Sequence, residues 1–320
     1  MSLSAGGTGK RGTYVLITAA HNEENYIERT IVSIVSQTLS PKRWVIVSDG
    51  STDRTEEIVA RYAKKYPFIQ LLALRNEHKR NFGAQVHAIN AGYGKVMGLD
   101  FDFIGNVDAD VSFGPDYFRQ LTEWTERNPD VGLTGGFIYE EVNGTFRSRF
   151  TNRTNSIAHA VQFFRRECYQ AIGGYIPLPC GGPDWCAEIM TRMKGWRAES
   201  LPWLPVFHHR PTGGGIGVLR YAYQQGFLAY SLGSHPFFEV AKCVPRIKSK
   251  PYVLVALTGL VAFALASVRR KQRPVAEAFV AFLRKEQMRR LREFILHPFE
   301  NAGTARKERS LRLTPRPTRK

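Results

Sequence analysis

Phe101-Asp102-Phe103-Ile104-Gly105-Asn106-Val107-Asp108-Ala109-Asp110 is the stretch from which the architecture of this chain can be worked out. Phe101 to Ile104 is a short apolar run with one polar interruption, and it predicts a buried strand. Phe113, Gly114 and Pro115 follow, and a periodic segment begins after Pro115. Asp108 and Asp110 therefore fall just past the carboxyl end of a strand, the edge at which open α/β sheets bind ligands. Two carboxylates two residues apart repel each other. They are tolerated where water screens them, or where a divalent cation lies between them and a phosphate. A lone pair of this kind is more often a solvated turn, so its neighbours along the chain decide.

Upstream, Tyr14–Ala20 predicts a first strand that runs into His21-Asn22-Glu23-Glu24-Asn25. Asn25 is placed to cap a helix with Ile27, Ile31, Ile34 and Val35 at helical spacing, and Pro41 interrupts that pattern. Trp44–Val47 is a second strand, followed at once by Ser48-Asp49-Gly50-Ser51-Thr52-Asp53. A helix over Thr55–Lys65 turns Ile58, Val59 and Tyr62 inward. Phe68–Leu74 is a third strand, and Asn81–Met97 a further helix rich in small residues. This alternation predicts a mostly parallel, Rossmann-like sheet with helices on both faces. Topology then lines up Asn22 and Glu23, Asp49, Arg75 or Arg80, and Asp108 with Asp110 along one sheet edge. Singly, Asp49 reads equally as a turn cap and Glu23 as a first-turn acid. No GxGxxG follows the first strand and no GxxxxGK[ST] occurs anywhere, so phosphates would be held by metal and arginine.

Three segments carry a family resemblance. TAAHNEENYIERTIVSIVSQT, VIVSDGSTDRT and NVDAD, in this order and spacing, resemble the family 2 glycosyltransferases over residues 13–210. The resemblance implies a GT-A fold and inverting transfer of a sugar from a nucleoside diphosphate sugar, UDP- or GDP-linked. By matching position it implies Glu23 and Asp49 on the base, with Ala20, Asn22 and Arg80 also on the nucleotide. It likewise implies Asp108 on the ribose side and Asp110 on a Mn²⁺ or Mg²⁺ ion. Ala19 stands where the family usually has proline, and His21 where tyrosine is common.

Gly173-Gly174-Tyr175 resembles the family's acceptor-side turn. The segment GGPDWCAEIMTRMKGWR resembles the acidic block that follows it, with Pro183 in place of the usual glutamate and Asp184 at the aspartate position. An acceptor hydroxyl attacking an anomeric carbon must lose its proton, and a positioned carboxylate can take it. Asp184, held at a helix start by the Gly-Gly-Pro turn, is the preferred base; an N-cap aspartate is the plainer alternative. Glu188, one helical turn on, is the second candidate. His208 and His209 end the apolar run Leu201–Phe207. Adjacent side chains on a strand point to opposite sides, so at most one of them faces a metal. A histidine here resembles the family's third metal ligand. Arg210 is placed to reach a phosphate. The glycine-rich run 212–217 reads equally as a lid or as a hinge. The Q-x-x-R-W signature of the family's processive synthases is missing, which favours one sugar per encounter.

At 320 residues and 43% hydrophobic, the chain has the length and composition of a folded protein with a sizeable core. The expected divisions are a disordered start at 1–12, a catalytic domain at 13–215 and a helical basic region at 216–300. Within the catalytic domain the nucleotide half is 13–112 and the acceptor half 113–215, and a disordered tail occupies 301–320. The net charge of +17 is unevenly spread: residues 241–320 hold 20 Lys/Arg against 5 Asp/Glu. Such asymmetry points to an anionic partner. Pro251–Val268 contains no charge and is flanked by Lys248, Lys250, Arg269, Arg270 and Lys271. It is open to three readings: a buried hairpin helix, an interfacial or re-entrant segment, or a membrane span. Val275–Ile295 suits an amphipathic helix on an anionic surface. The four cysteines show no metal-ligand spacing and read as free thiols, and the first residues lack an apolar signal core. The expected location is the cytoplasm, at the cytoplasmic face of the membrane, with a glycan or lipid-linked acceptor. Two other classes compete. A sugar-1-phosphate nucleotidyltransferase would need GGTGKRG as its signature. A nucleic-acid-binding protein would need aromatics interleaved among the basic residues, and few are found there.

Overall fold

The structure, a computed structural model, describes residues 12–75, 82–142, 144–149, 151–178, 181–210, 217–243 and 252–296. The predicted terminal segments, Arg80, Cys180 and most of the glycine-rich run at 212–217 lie outside these residues.

Strands β1 (Tyr14–Ala20), β2 (Arg43–Asp49), β3 (Ile69–Leu74) and β4 (Phe103–Asn106) alternate with helices α1 (Ile27–Val35), α2 (Thr55–Lys65) and α3 (Phe82–Val96). Then come β5 (Val111–Phe113), α4 (Tyr117–Arg127), the hairpin β6 (Val131–Val142) and β7 (Thr145–Ser148), and β8 (Phe163–Arg165). Helices α5 (Arg166–Ile172) and α6 (Pro183–Met193) lead to the long β9 (Arg197–His208). The strands form one sheet in the order β3-β2-β1-β4-β8-β6-β9-β5, with β7 paired to β6. Its first four strands are parallel, as the sequence pattern predicts. Beyond β4 the sheet is mixed: β8 runs antiparallel to both β4 and β6, β5 antiparallel to β9, and only β6 and β9 are parallel. A strand of three residues returning antiparallel needs no crossover helix, so it leaves no helical period in the sequence.

Strands β1, β2 and β4 are buried on both faces, which is why they read as continuous apolar runs, while β3 at the edge is half-buried. Val15, Leu16, Val45, Ile46 and Val47 are fully buried, and Trp44 satisfies its indole N–H on the Thr18 hydroxyl at 2.9 Å. Helix α3 lies close over β1 because Gly92 lets it: a β-carbon there would stand 2.7 Å from Ile17 Cγ2. α1 begins one residue later than the Asn25 cap expected from sequence, with Tyr26 at the cap position and no side chain capping it. At its other end Gln37 takes over. Its amide donates to Ser33 O and Gly114 O, both at 2.8 Å, and its Oε1 accepts from Phe118 N at 3.1 Å. The strand leading to Asp108 starts two residues later than expected. Asp102 ends the preceding turn, its carboxylate accepting from Thr13 N at 2.7 Å.

The C-terminal helices are α7 (Val218–Ser231), α8 (Pro236–Ala241), α9 (Tyr252–Val268) and α10 (Glu277–Leu296). A second, smaller core joins Cys186 and Ile189 of α6 to Leu228 and Leu232 from α7 and its end, and to Phe279 and Leu283 of α10. Arg192 of α6 pairs with the buried Glu286 of α10 at 2.8 Å. α9 covers α7 through Ala256, Ala262 and Ala266, all buried. A β-carbon on Gly226 of α7 would run into the Gly259 carbonyl, so the two backbones meet there. Of the three readings open for Pro251–Val268, the span is not supported: among the described residues no helix is long and apolar enough to cross a membrane. Cys168 is a free, buried thiol.

Candidate active site

The carboxyl ends of β1, β2 and β4 converge as the topology requires. After β1, Ala20 is 3% exposed and Asn22 adopts a left-handed backbone with φ 53°. Asparagine tolerates that conformation better than most residues. Its side-chain oxygen accepts from Thr52 N at 2.8 Å, while Glu23 N donates to Thr55 Oγ1 at 2.7 Å and Glu24 N to Asp53 Oδ2 at 3.0 Å. His21 Nδ1 lies 2.7 Å from Asp49 O. The loops after β1 and β2 are thus stapled together, and the acids of the Ser48–Asp53 segment divide their duties. Asp53 also accepts from Thr55 and holds the start of α2, whereas Asp49 ends β2 at the carboxyl edge of the sheet.

At the end of β4 the two aspartates diverge. Asp108 accepts from Gln85 at 3.2 Å and faces His159 Nδ1 at 3.4 Å. Asp110 is 7% exposed; its Oδ1 lies 3.2 Å from His208 Nε2, and its Oδ2 accepts from Arg210 Nε at 2.8 Å. Although nearly a hundred residues away in sequence, His208 arrives there by register, since β9 pairs it with Val111, the neighbour of Asp110. The backbone N–H of His209 donates to Asp110 O at 2.9 Å, but its ring points elsewhere, with Nε2 2.8 Å from Ser112 Oγ and Nδ1 3.4 Å from Arg29. The structure therefore brings His208, not the His209 ring, to Asp110.

Arg210 bridges the two loops. Its guanidinium bonds Glu23 as well as Asp110 and lies over the Tyr26 ring, 5.1 Å from its centroid. Burial disfavours the charge on Asp110, yet the His208 hydrogen bond and the cations beside it hold its carboxyl below the usual range. The same pairing raises His208 against the lowering effect of burial. For Glu23 burial wins over Arg210, and its carboxyl is pushed up.

Helix α6 supplies the acid block. Gly182 takes φ 78°, Pro183 fills the first helical position, and Asp184 follows in the first turn. Among the described residues the Asp184 carboxylate accepts no hydrogen bond, while its carbonyl accepts from Gln162 Nε2 at 3.3 Å. Gln162 Oε1 in turn accepts from Tyr175 OH at 2.7 Å, and the Tyr175 ring sits 5.4 Å from that of His159. Burial lowers the proton affinity of His159, and the charges of Asp108 and Asp184 together more than reverse that. The charges of Asp108 and Asp184 thus both act on one imidazole. Glu188 is differently placed: it is 3% exposed, and its Oε1 accepts from Ile157 N at 2.7 Å and from Ser156 Oγ at 3.0 Å. Burial, aided by the Asp184 charge, pushes its carboxyl up to about 8. Glu188 anchors the loop at 156–157, directly before His159.

His159, Gln85 and Gln162 escaped the sequence reading, and Tyr175 entered it only as part of the acceptor-side turn. His159 sits in a single turn of 3₁₀ helix with no motif around it. Only Tyr175 carried a signal, as the aromatic after Gly173-Gly174.

Residues 15–183, more than half of the chain, match the sequence profile of Glycosyl transferase family 2. The chain belongs to that family. It is 35% identical over 126 residues to the uncharacterized glycosyltransferase EpsJ of Bacillus subtilis, covering 39% of this chain and 34% of that protein. It is 31% identical over 143 residues to the uncharacterized glycosyltransferase YibD of Escherichia coli, covering 44% and 39%. The chain thus spans little more than a third of the length of these curated relatives. In fold it is similar to the mannosyltransferase PcManGT from Pyrobaculum calidifontis, solved with GDP-Man and Mn²⁺. That likeness has a TM-score of 0.54 at 18% identity over 94% of this chain and 85% of the other. It is similar also to GalNAc-T7 solved with UDP, GalNAc and Mn²⁺, with a TM-score of 0.54 at 15% identity over 82% and 55%. The mixed α/β sheet described above is that of a GT-A fold.

Proposed function

We propose that this glycosyltransferase moves one glycosyl group from a UDP- or GDP-linked sugar to a hydroxyl of a glycan or lipid-linked acceptor, with inversion. The observation that carries this reading is the pairing of Asp110 with His208 after β4, together with an Asp184 carboxylate that accepts no hydrogen bond among the described residues and whose charge is felt, with that of Asp108, at His159. Glu23, Asp49, Asn22 and Ala20 line the floor on which a nucleotide would lie, and Asp108 faces its ribose.

Among the described residues no three His, Cys, Asp or Glu side chains form a metal cluster. Asp110 and His208 nonetheless fit a hard divalent ion, Mn²⁺ or Mg²⁺, and would hold it beside the donor's diphosphate. Such an ion offsets the charge that develops on the departing diphosphate. Arg210 stands on the same carboxylate and is placed to turn its guanidinium to a phosphate oxygen when the donor arrives. On the opposite side Asp184 takes the proton of the acceptor hydroxyl. The acceptor oxygen bonds the anomeric carbon as that carbon's bond to the diphosphate breaks, so attack and departure occur on opposite faces. Glu188 positions rather than reacts, because its oxygen is committed to the backbone at Ile157. The basic C-terminal region holds the enzyme on the anionic cytoplasmic surface of a membrane, beside its acceptor.

A panel of nucleotide sugars tests the reading by thermal denaturation, since a ligand that binds only the native state raises Tm. A UDP- or GDP-sugar should raise it with Mn²⁺ or Mg²⁺ present and much less with chelator. A panel in which none does so, with or without metal, overturns the assignment.

A further inference from the structure

Outside the catalytic edge, the C-terminal helices bring an apolar stripe and a basic cavity together. α9 buries its alanine side on α7, and its other side exposes Leu254, Leu257, Val261, Leu265 and Val268. Spaced three or four residues apart, these form one stripe along a helix of about 25 Å. Of the nineteen large apolar side chains exposed among the described residues, fifteen lie between positions 218 and 296. An apolar surface concentrated in this way marks a contact with protein or membrane.

Charge says which. The stripe ends at Val268 and runs directly into Arg269, Arg270 and Lys271. Where α9 turns towards α10, a cavity of about 720 Å³ is lined by Arg270, Lys271, Arg273 and Arg284, with Tyr230 in its wall and Glu277 as its one acid. Among the described residues none of these four cations forms an ion pair with a carboxylate. Arg273 donates one N–H to Tyr230 O at 3.3 Å, and Arg284 one to Gly233 O at 2.9 Å. Each guanidinium is thereby oriented while most of its donors stay uncommitted. Four cations converging on one hollow suit a phosphate, whose oxygens accept several charge-assisted bonds at once. A soluble phosphate would leave the adjoining stripe without a purpose. A phospholipid uses both.

We infer that this cavity receives the phosphate of an anionic phospholipid headgroup, with the α9 stripe resting at the acyl boundary of the same leaflet. α9 then lies along the membrane rather than across it. The inference rests on the proposed membrane attachment and is independent of the sugar chemistry.

The test is co-sedimentation of the full chain with vesicles of phosphatidylcholine alone, or containing about a third phosphatidylglycerol. The unaltered chain should bind the anionic vesicles. Removing two cavity charges in Arg270→Gln/Lys271→Gln should weaken binding roughly 25-fold, at about fivefold per cation. Val261→Asp/Leu265→Asp should abolish binding at both low and high salt. A cooperative melt by circular dichroism must be retained in each. If the double charge variant loses that melt, Lys271→Gln alone, at an exposed position, should still cost about fivefold. Charge variants that bind like the parent overturn the headgroup site and leave membrane attachment standing. A parent chain that ignores both vesicles overturns attachment and this inference with it. Inorganic phosphate that raises Tm through Arg270 and Lys271, while vesicles do not bind, makes the cavity a soluble-anion site and overturns the lipid source.

Discussion

Glu188 lends itself to a quantitative test, because its burial and its partners fix both the sign and the size of the effect. Its carboxyl rises from an ordinary 4.5 to about 8. Below about pH 4.5 the folded and unfolded chains both carry the proton. Between the two values only the folded chain keeps it, so unfolding releases a proton and stability falls as pH rises, by at most about 1.4 kcal/mol per unit. Above about 8 both states are ionised and the slope disappears. Integrated from pH 5 to pH 8, the loss is on the order of 3 kcal/mol. Glu188→Gln keeps the shape and the oxygen that Ile157 N requires, but it cannot titrate. Urea unfolding of parent and variant at intervals across that range should show the variant gaining roughly 3 kcal/mol on the parent as pH rises. Groups common to both proteins cancel in the difference. Two stability curves that stay parallel would show that Glu188 does not hold its proton in the fold, and would undo the account of α6 as a helix anchored by a neutral buried acid. Since the group touches the 156–157 loop rather than the reacting atoms, kcat should stay within about tenfold of the parent.

Other expectations follow from the same geometry. Asp110→Asn removes the charge that faces both His208 and Arg210, and it should abolish metal-dependent binding of nucleoside diphosphate in calorimetry while leaving the melting transition in place. Retained metal-dependent binding would remove Asp110 from the ligand set. Asp184→Asn should leave donor affinity within a few-fold and cut kcat by ~100-fold or more. If Glu188→Gln produces that loss and Asp184→Asn does not, the two roles are exchanged. Gly226→Val places a side chain where the Gly259 carbonyl stands, and should lower stability by about 1–3 kcal/mol by forcing α7 and α9 apart.

The parallel half was legible because its physics is local. Its strands β1, β2 and β4 are buried on both faces and each helix shows one apolar side, so period and burial agree and the strand ends follow. The family motifs added residue roles that spacing alone leaves open, since Asp49 and Asp53 look alike in sequence and only the structure shows Asp53 tied to Thr55 and Glu24. The second half was harder for the opposite reason. β5 and β8 are three residues each and take their places only through partners far along the chain. His208 reads as the end of an apolar run, and its approach to Asp110 comes from the register of β9 on β5. His159 gave no signal at all. Its place is tertiary, created when the loop pinned by Glu188 sets an imidazole beside Asp108 and within the field of Asp184.

Helix α6 ties these observations into one mechanical unit. Its first turn carries Asp184, its middle carries Glu188 against the 156–157 loop, and its far end carries Arg192 on Glu286 of α10. Ile189 and Cys186, on the face between them, belong to the core shared with α7 and α10. A rigid helix of eleven residues transmits a shift at one end to the other, and the half-buried Arg192, paired with Glu286 at 2.8 Å, ties its far end to α10. The position of Asp184 is therefore set as much by how the C-terminal helices seat on α6 as by the sheet beneath it. Those helices carry both the basic cavity and the apolar stripe, so whatever fixes that surface in place also bears on the proposed base through three residues of a single helix.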